Sequence, residues 1–209
     1  MSTTNRALIV IDVQQEYFDG PLEIQYPPRD ESRAQILRAI DVADEAGIPV
    51  VIVQHELPEE APVFAKGSAG FALHSEIEGK VNTARKSVTK HFASVFEGTD
   101  VVDWLREKGI DRVTLVGYMT NNCVIGTAVT GEPLGLTVEI LSDATGAISI
   151  SNDAGSASGK QVHQTLMAVL NSNFARVATT DAWAEAVAKG ADLEGSNLVS
   201  SALQGREAH

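Results

Sequence analysis

Unbroken apolar runs constrain the fold of this chain more than any other feature of its sequence. Ala7 to Ile11 and Val50 to Val53 contain only apolar residues, which is typical of strands buried on both faces of a parallel sheet. Helical patterns separate the strand-like segments, and parallel strands need such crossovers. We therefore predict a three-layer α/β fold: a Rossmann-like, mostly parallel sheet of about six strands with helices on both faces. The strand segments are 7–11, 50–53, 83–89, 112–117, 136–141 and 175–179.

Capping residues and loss of periodicity set the other boundaries. Asp30 or Ser32 is predicted to cap the first long helix, and Asp181 the helix after the last strand. Segment 57–80 is interrupted by proline and glycine, and segment 146–160 is rich in serine, glycine and alanine. We expect both to be loops.

Composition limits the size of the fold and its partners. With 209 residues, 44% of them hydrophobic, we expect a single domain over residues 1–189. Residues 190–209 show little periodicity and are predicted to be a C-terminal tail. The net charge of −12 argues against nucleic acid and anionic membranes as partners.

Cysteine usage and the N-terminal sequence indicate the compartment. A single cysteine cannot form an internal disulfide, which favours a reducing environment. Residues 1–6 lack the apolar stretch of a signal peptide, and no apolar run approaches the ~20 residues of a membrane span. We expect a soluble, cytoplasmic protein.

Polar side chains follow several of the predicted strands at the point where each strand ends. They are Asp12, Gln54-His55-Glu56, Lys90, the turn 118–123 and Asp143. Because the carboxyl ends of parallel strands share one edge of the sheet, these groups are predicted to meet in one site.

Cys123 lies where a strand, a sharp turn and a helix follow one another. Unpaired backbone N–H groups and the helix dipole at such a position favour the reactive thiolate. The alternative is an inert, packed thiol, because free cysteine is among the most buried residue types. The sequence alone leaves both interpretations open.

Asp12 and Lys90 are a possible charge pair at two strand ends. A carboxylate at the end of an apolar strand needs a cationic partner if it is buried, and Lys90 could supply it. The alternatives are a purely structural ion pair or two independent, solvated charges.

No cofactor is predicted from local motifs. His55, His74 and His91 are isolated, and no histidine pair has the i, i+4 spacing of metal ligands. No Gly-x-Gly-x-x-Gly sequence follows a strand. We therefore expect neither a metal nor a dinucleotide.

Three motifs in order resemble the isochorismatase-like family of cysteine hydrolases, which includes nicotinamidases, N-carbamoylsarcosine amidase and ureidoacrylate amidases. They are 7–14 (ALIVIDVQ), 90–99 (KHFASVFEGT) and 117–124 (GYMTNNCV). The resemblance extends from about Arg6 to Trp183, and the three motifs together are specific.

The resemblance implies a catalytic triad of Asp12, Lys90 and Cys123. Cys123 would attack a carbonyl, Asp12 would accept its proton, and Lys90 would hold the charges in place. The backbone N–H groups of Met119 and Cys123 would form the oxyanion hole, next to a cis peptide bond between Tyr118 and Met119.

Departures from the family pattern narrow the expected substrate. Nicotinamidases carry metal-binding aspartate and histidine residues after the second strand, whereas this chain reads QHELP at 54–58, which disfavours nicotinamide. True isochorismatases cleave a vinyl ether and typically lack the cysteine. An amide or ureido C–N bond of a small molecule is therefore predicted, with Phe18, His55, Tyr118 and Asn122 as substrate-binding residues.

Other functions remain open at this stage: an isochorismatase-type ether hydrolase, a non-catalytic oligomeric scaffold, or a redox thiol protein. The resemblance also implies a homo-oligomer, a dimer or tetramer with the site near a subunit boundary. Apolar residues of the predicted tail favour the same conclusion, because a flexible tail would leave them in water. They are Leu193, Leu198, Val199 and Leu203.

Overall fold

The computed structural model describes residues 5–209. The strands are β1 (Arg6–Ile11), β2 (Val50–His55), β3 (Lys86–Lys90), β4 (Arg112–Tyr118), β5 (Thr137–Gly146), β6 (Ile150–Asn152), β7 (Gly155–Ala157) and β8 (Arg176–Ala178). The helices are α1 (Arg29–Ala46), α2 (Ser75–Glu78), α3 (Val101–Glu107), α4 (Ile125–Gly131), α5 (Gly159–Ser172), α6 (Thr180–Lys189) and α7 (Leu198–Ala208).

Six strands form one parallel sheet in the order β3-β2-β1-β4-β5-β8. Alternate residues of β1 point to opposite faces: Leu8 and Val10 pack with α1 and α6, whereas Ile9 and Ile11 pack with α3, α4 and α5. This alternation buries both faces of the sheet. The predicted three-layer, Rossmann-like α/β fold is confirmed.

The strand order reverses between β1 and β4, and this places the carboxyl ends of both strands beside one crevice. In open α/β sheets that reversal point is where ligands bind. Gly117 permits the close approach, because its φ is +103° and a Cβ atom there would lie 2.1 Å from the carbonyl oxygen of Ile11. Only glycine fits such a position without displacing β1.

The predicted caps of two helices are wrong, although the helices exist. α1 begins at Arg29 after Pro28, which offers no side-chain cap, and Asp30 lies in the first turn of the helix. The cap of α6 is Thr179, whose side chain accepts a hydrogen bond from the Ala182 N–H. Asp181 instead lies in the first turn, where a carboxylate still interacts favourably with the helix dipole.

Segment 57–80 is irregular apart from the short helix α2, as predicted. Segment 146–160 differs from the predicted loop, because β6 and β7 pair there as an antiparallel hairpin. Ser158 and Gln161 then form a capping box at the start of α5. Small residues such as those of this segment carry little strand propensity of their own, so the pairing is not apparent from the sequence.

A buried ionic network joins the amino ends of the central strands. Arg6 donates two hydrogen bonds to Glu139, at 2.9 and 2.8 Å, and both side chains are fully buried. The Thr114 hydroxyl donates to the same carboxylate at 2.7 Å. Arg112 lies 3.8 Å from Glu139 and also pairs with Asp192. The network therefore attaches the segment after α6 to the sheet, at the end opposite the crevice.

Residues 190–209, predicted as a tail, contain the helix α7. Leu193 is buried in the core, whereas Leu198, Val199 and Leu203 of α7 are 60%, 70% and 53% exposed. In residues 5–209, no helix combines the length and apolar character that crossing a bilayer requires.

The exposed apolar residues of α7 lead to a prediction about assembly. We propose that a second copy of the chain covers Leu198, Val199 and Leu203, because three large apolar groups in water on one short helix are unfavourable. Sedimentation at micromolar concentration should show a dimer or larger assembly. Replacing all three by serine should yield a monomer, whereas Val81→Ser, at a 40% exposed site elsewhere, should not. A monomeric wild-type protein would contradict the proposal.

Candidate active site

The side chains of Asp12, Lys90 and Cys123 meet at the carboxyl ends of β1, β3 and β4. Nζ of Lys90 lies 2.7 Å from Oδ2 of Asp12 and 3.2 Å from Sγ of Cys123. Asp12 and Lys90 are fully buried, and Cys123 is 2% exposed. The structure thus brings the three predicted residues into contact, while their catalytic roles remain predictions.

Asp12 is aimed into the crevice by an unusual backbone conformation. Its N–H still donates to the carbonyl oxygen of Val53 at 3.0 Å, which extends the pairing of β1 with β2. Its φ is +50°, in the left-handed region that aspartate enters more readily than most residues. The chain therefore changes direction sharply at Asp12, directly after the end of β1.

Cys123 lies in a π-helical turn, Thr120–Val124, which precedes α4. The peptide bond between Tyr118 and Met119 is cis, as the family resemblance implied. The carbonyl oxygen of Met119 accepts hydrogen bonds from Asn122 and Val124. These bonds close the turn tightly around the cysteine.

Two threonines fix the cysteine turn to neighbouring elements. Thr127 donates to the carbonyl oxygen of Cys123 at 2.7 Å and accepts from the N–H of Val95 at 3.1 Å, which ties the turn to the segment after Lys90. The hydroxyl of Thr120 lies 2.9 Å from Nδ1 of the buried His163 on α5. Both sides of the turn are therefore anchored.

The ammonium group of Lys90 has four acceptors around it. In addition to Asp12 and Cys123, Nδ1 of His55 lies 3.0 Å and the carbonyl oxygen of Phe92 3.1 Å from Nζ. Burial on its own lowers the pKa of Lys90, but Asp12 and Cys123 outweigh this effect and raise it. Lys90 is therefore a charged ammonium.

The environment of Cys123 raises the pKa of its thiol. Burial raises its pKa, the Asp12 carboxylate raises it further, and Lys90 offsets only part of the increase. Burial also raises the pKa of Asp12, against the opposing effect of Lys90. Desolvation and a neighbouring carboxylate thus oppose the stabilisation of the thiolate that is expected at the start of a helix.

The predicted substrate-binding residues lie in different settings. Tyr118 is fully buried, and its hydroxyl lies 2.8 Å from the hydroxyl of Ser32 on α1. Phe18 packs edge-on against Tyr118, with ring centroids 5.9 Å apart. The two rings therefore pack against each other, and the Tyr118 hydroxyl already has a hydrogen-bonding partner in Ser32. Asn122 is exposed on the turn, and substrate binding by these residues stays a prediction.

His55, the fourth predicted substrate-binding residue, is partly buried at the end of β2. Besides its contact with Lys90, its ring packs edge-on against Phe64 at 5.4 Å. Burial, Lys90 and His91 lower its pKa to about 4. His55 is therefore neutral at physiological pH.

Sequence reasoning missed Tyr17, which is also part of the site. Its ring lies 5.2 Å from that of Phe64 and 5.5 Å from that of Tyr118. Burial is the main reason why the pKa of the Tyr17 phenol is raised, and negative charge at the catalytic end of the sheet raises it further. An aromatic residue in the short segment that follows Asp12, at the end of the helical turn Gln15–Tyr17, was a signal that could have indicated this position.

Within residues 5–209, no three His, Cys, Asp or Glu side chains are grouped as a metal site would require. The chemistry of the nearest donors agrees with this observation. Nδ1 of His55 faces an ammonium group, so that a divalent cation there would have to displace Lys90.

A parallel α/β sheet with a thiol, a carboxylate and an ammonium in contact at its reversal point is the arrangement that the family resemblance implied. The family model of the Isochorismatase domain matches residues 6–182. The chain belongs to the isochorismatase family and is a hydrolase of that family.

Known proteins similar to this chain support the assignment. The crystal structure of a protein from Burkholderia xenovorans LB400, described as an isochorismatase, has 45% sequence identity, a TM-score of 0.95 and 98% coverage of both chains. The secreted isochorismatase effector Isc1 of Verticillium dahliae is 35% identical over 69% of this chain and 74% of its own length. The nicotinamidase/pyrazinamidase of Mycobacterium tuberculosis is 28% identical, over 69% of this chain and 88% of its own.

Proposed function

We propose that this protein is an amidohydrolase that cleaves a C–N bond of a small molecule, an amide or a ureide, through a thioester on Cys123. The observation that carries the proposal is the position of Lys90, which contacts both the Asp12 carboxylate and the Cys123 sulfur in a fully buried site. A nucleophile, a base and a fixed cation within contact distance are the elements of covalent acyl transfer.

In the proposed first step, Sγ of Cys123 attacks the carbonyl carbon while its proton passes to Asp12. The raised pKa of the thiol means that the proton leaves during the attack. Burial raises the pKa of Asp12 and makes it a better proton acceptor than an exposed aspartate. The negative charge moves from the Asp12 carboxylate to the carbonyl oxygen of the substrate. The Lys90 ammonium stays beside Asp12 and Cys123 during this step.

The oxyanion that forms on the carbonyl oxygen needs hydrogen-bond donors. The backbone N–H groups of Met119 and Cys123 flank the tight turn and are proposed to supply them. Collapse of the intermediate breaks the C–N bond, and the protonated Asp12 gives its proton to the leaving nitrogen. Water then attacks the thioester with Asp12 as base, which releases the acid and restores the thiol.

Two observations favour a C–N bond over the ether bond of isochorismate. The site contains a buried thiol in direct contact with a lysine, which a reaction without a covalent intermediate would not need. The relatives also include proteins whose names, nicotinamidase and pyrazinamidase, refer to amides.

A substrate panel tests the proposal. Ammonia release should be detected for at least one primary amide or ureide in a panel of small molecules. With that substrate, Asp12→Asn should lower the rate of hydrolysis by about a thousandfold, because the base is lost. Exhaustive chelation should leave the rate unchanged. Cleavage of isochorismate to pyruvate without ammonia release from any amide would contradict the proposal and support the ether hydrolase.

A further inference from the structure

The ammonium group of Lys90 has more acceptors than protons. An ammonium offers three N–H donors, yet four acceptors lie within 3.2 Å of Nζ: Asp12, His55, the carbonyl of Phe92 and Cys123. Two of these, Asp12 and Cys123, exchange a proton in the proposed reaction. The other two acceptors, Nδ1 of His55 and the carbonyl oxygen of Phe92, stay neutral throughout the reaction.

The contact with Lys90 determines the tautomer of His55. An ammonium can only donate, so Nδ1 of His55, 3.0 Å from Nζ, must carry the free lone pair. The proton of the neutral ring is then on Nε2. A second proton on Nδ1 would remove the acceptor and place a cation against Lys90.

His55 is held from three directions. The backbone of β2 pairs His55 with Lys90 across the sheet. The buried Gln14 amide donates to the His55 carbonyl at 2.9 Å and accepts from its N–H at 2.8 Å. Phe64 packs edge-on against the ring. A side chain fixed in this way is suited to hold another group in place.

Burial, together with the neighbouring Lys90, keeps the ring of His55 neutral. Lys90, at the end of β3, and His91, directly after it, both act to lower the pKa of His55. The adjacent Glu56 pairs with Lys66 at 3.4 Å, outside the contact with Lys90. With a pKa of about 4, the ring stays an acceptor over the whole neutral range.

We propose that His55 is a positioning residue for Lys90: its Nδ1 lone pair binds one N–H of the ammonium and keeps Nζ between Asp12 and Cys123 while the proton moves between them. This inference rests on the proposed function in so far as Cys123 is the nucleophile. It assigns to the end of β2 a role in activating the thiol, beyond its predicted contact with substrate.

The rate of Cys123 alkylation by iodoacetamide, measured from pH 6 to 9, tests the proposal without any substrate. His55→Asn keeps an oxygen acceptor at the position of Nδ1, whereas His55→Leu keeps the apolar packing against Phe64 and removes the acceptor. We expect His55→Asn to react nearly as fast as wild type. His55→Leu should react about tenfold more slowly and need a higher pH, because a hydrogen bond to a charged group is lost.

The opposite pattern would overturn the inference. Equal rates in wild type and His55→Leu would show that the acceptor is not needed. A slow His55→Asn with a normal His55→Leu would show that the ring only packs, and equally slow variants would also contradict the acceptor role. If Cys123 of the wild type is itself unreactive, relative to a Cys123→Ala blank, the proposed function fails as well.

A measurement on the unaltered protein covers the case in which the variants do not fold. Long-range ¹H–¹⁵N correlation spectra distinguish the two neutral tautomers of histidine from the imidazolium. We expect His55 to be the neutral Nε2–H tautomer between pH 6 and 8. A signal for the Nδ1–H tautomer or for a charged ring at pH 7 would overturn the inference, because neither can accept from Lys90.

Discussion

Replacing Cys123 by alanine is expected to abolish hydrolysis and leave the fold intact. The thiol supplies the covalent step of the proposed reaction, and loss of such a nucleophile typically costs about four orders of magnitude or more in rate. Alanine removes one buried sulfur atom from a turn that is held by Thr120 and Thr127. Turnover of the substrate found in the amide panel and the midpoint of thermal unfolding are the two measurements.

Cys123→Ser is the matched control for the shape of the site. Serine keeps a polar atom near Lys90 and nearly the same volume, but its hydroxyl is scarcely ionised and is a weak nucleophile without strong activation. We expect this variant to fold like wild type and to be severely impaired. Near-normal turnover by Cys123→Ala would show that water or another residue attacks the substrate.

Replacing Glu139 by alanine is expected to destabilise the protein by about 3–5 kcal/mol. The change leaves the fully buried guanidinium of Arg6 without its carboxylate and removes the acceptor of the Thr114 hydroxyl. An uncompensated buried charge of this kind is costly because water cannot reach it. Urea denaturation with linear extrapolation measures the free energy of unfolding.

An exposed pair on α6 provides the control for the Glu139 experiment. Lys189 and Glu185 are 3.2 Å apart, but their side chains are 69% and 71% exposed, so Glu185→Ala should cost less than about 0.5 kcal/mol. Replacing both Arg6 and Glu139 by methionine should recover part of the loss, because two apolar side chains need no partner. Equal stabilities for Glu139→Ala and Glu185→Ala would contradict the argument.

The sequence predicts the sheet well because its strands are buried on both faces. Runs such as 7–11 and 50–53 have no polar residue that could point to solvent, so their position in a parallel sheet follows from composition alone. Once the strands are parallel, the polar residues after them share one edge, and the proximity of Asp12, Lys90 and Cys123 follows from topology.

The sequence does not predict features that depend on pairing or on surroundings. The β6–β7 hairpin consists mainly of small, largely exposed residues with no periodicity, and α7 is an exposed helix without a buried face. Secondary structure of this kind leaves no amphipathic pattern to detect.

Protonation states are the other feature that sequence reasoning could not supply. The predicted position of Cys123 at the start of a helix favours a thiolate. The burial of the sulfur and the nearby Asp12 carboxylate, which both raise the pKa of the thiol, arise only in the folded chain. In the same way, the neutral state of His55 follows from its burial and from its contact with Lys90 on the neighbouring strand. Neither of these pKa shifts can be predicted from the spacing of residues in the sequence.

Because β3 lies at the edge of the sheet, we expect the arrangement of the site to be less stable than the fold as a whole. Asp12 and Cys123 follow central strands, whereas Lys90 ends a strand that is paired on one side only and whose first four residues are partly or fully exposed. Outer strands detach in local openings that cost less free energy than global unfolding. Each such opening moves Lys90 away from Asp12 and Cys123 in an otherwise folded molecule. We therefore expect heating to abolish activity at a lower temperature than the one at which the protein unfolds.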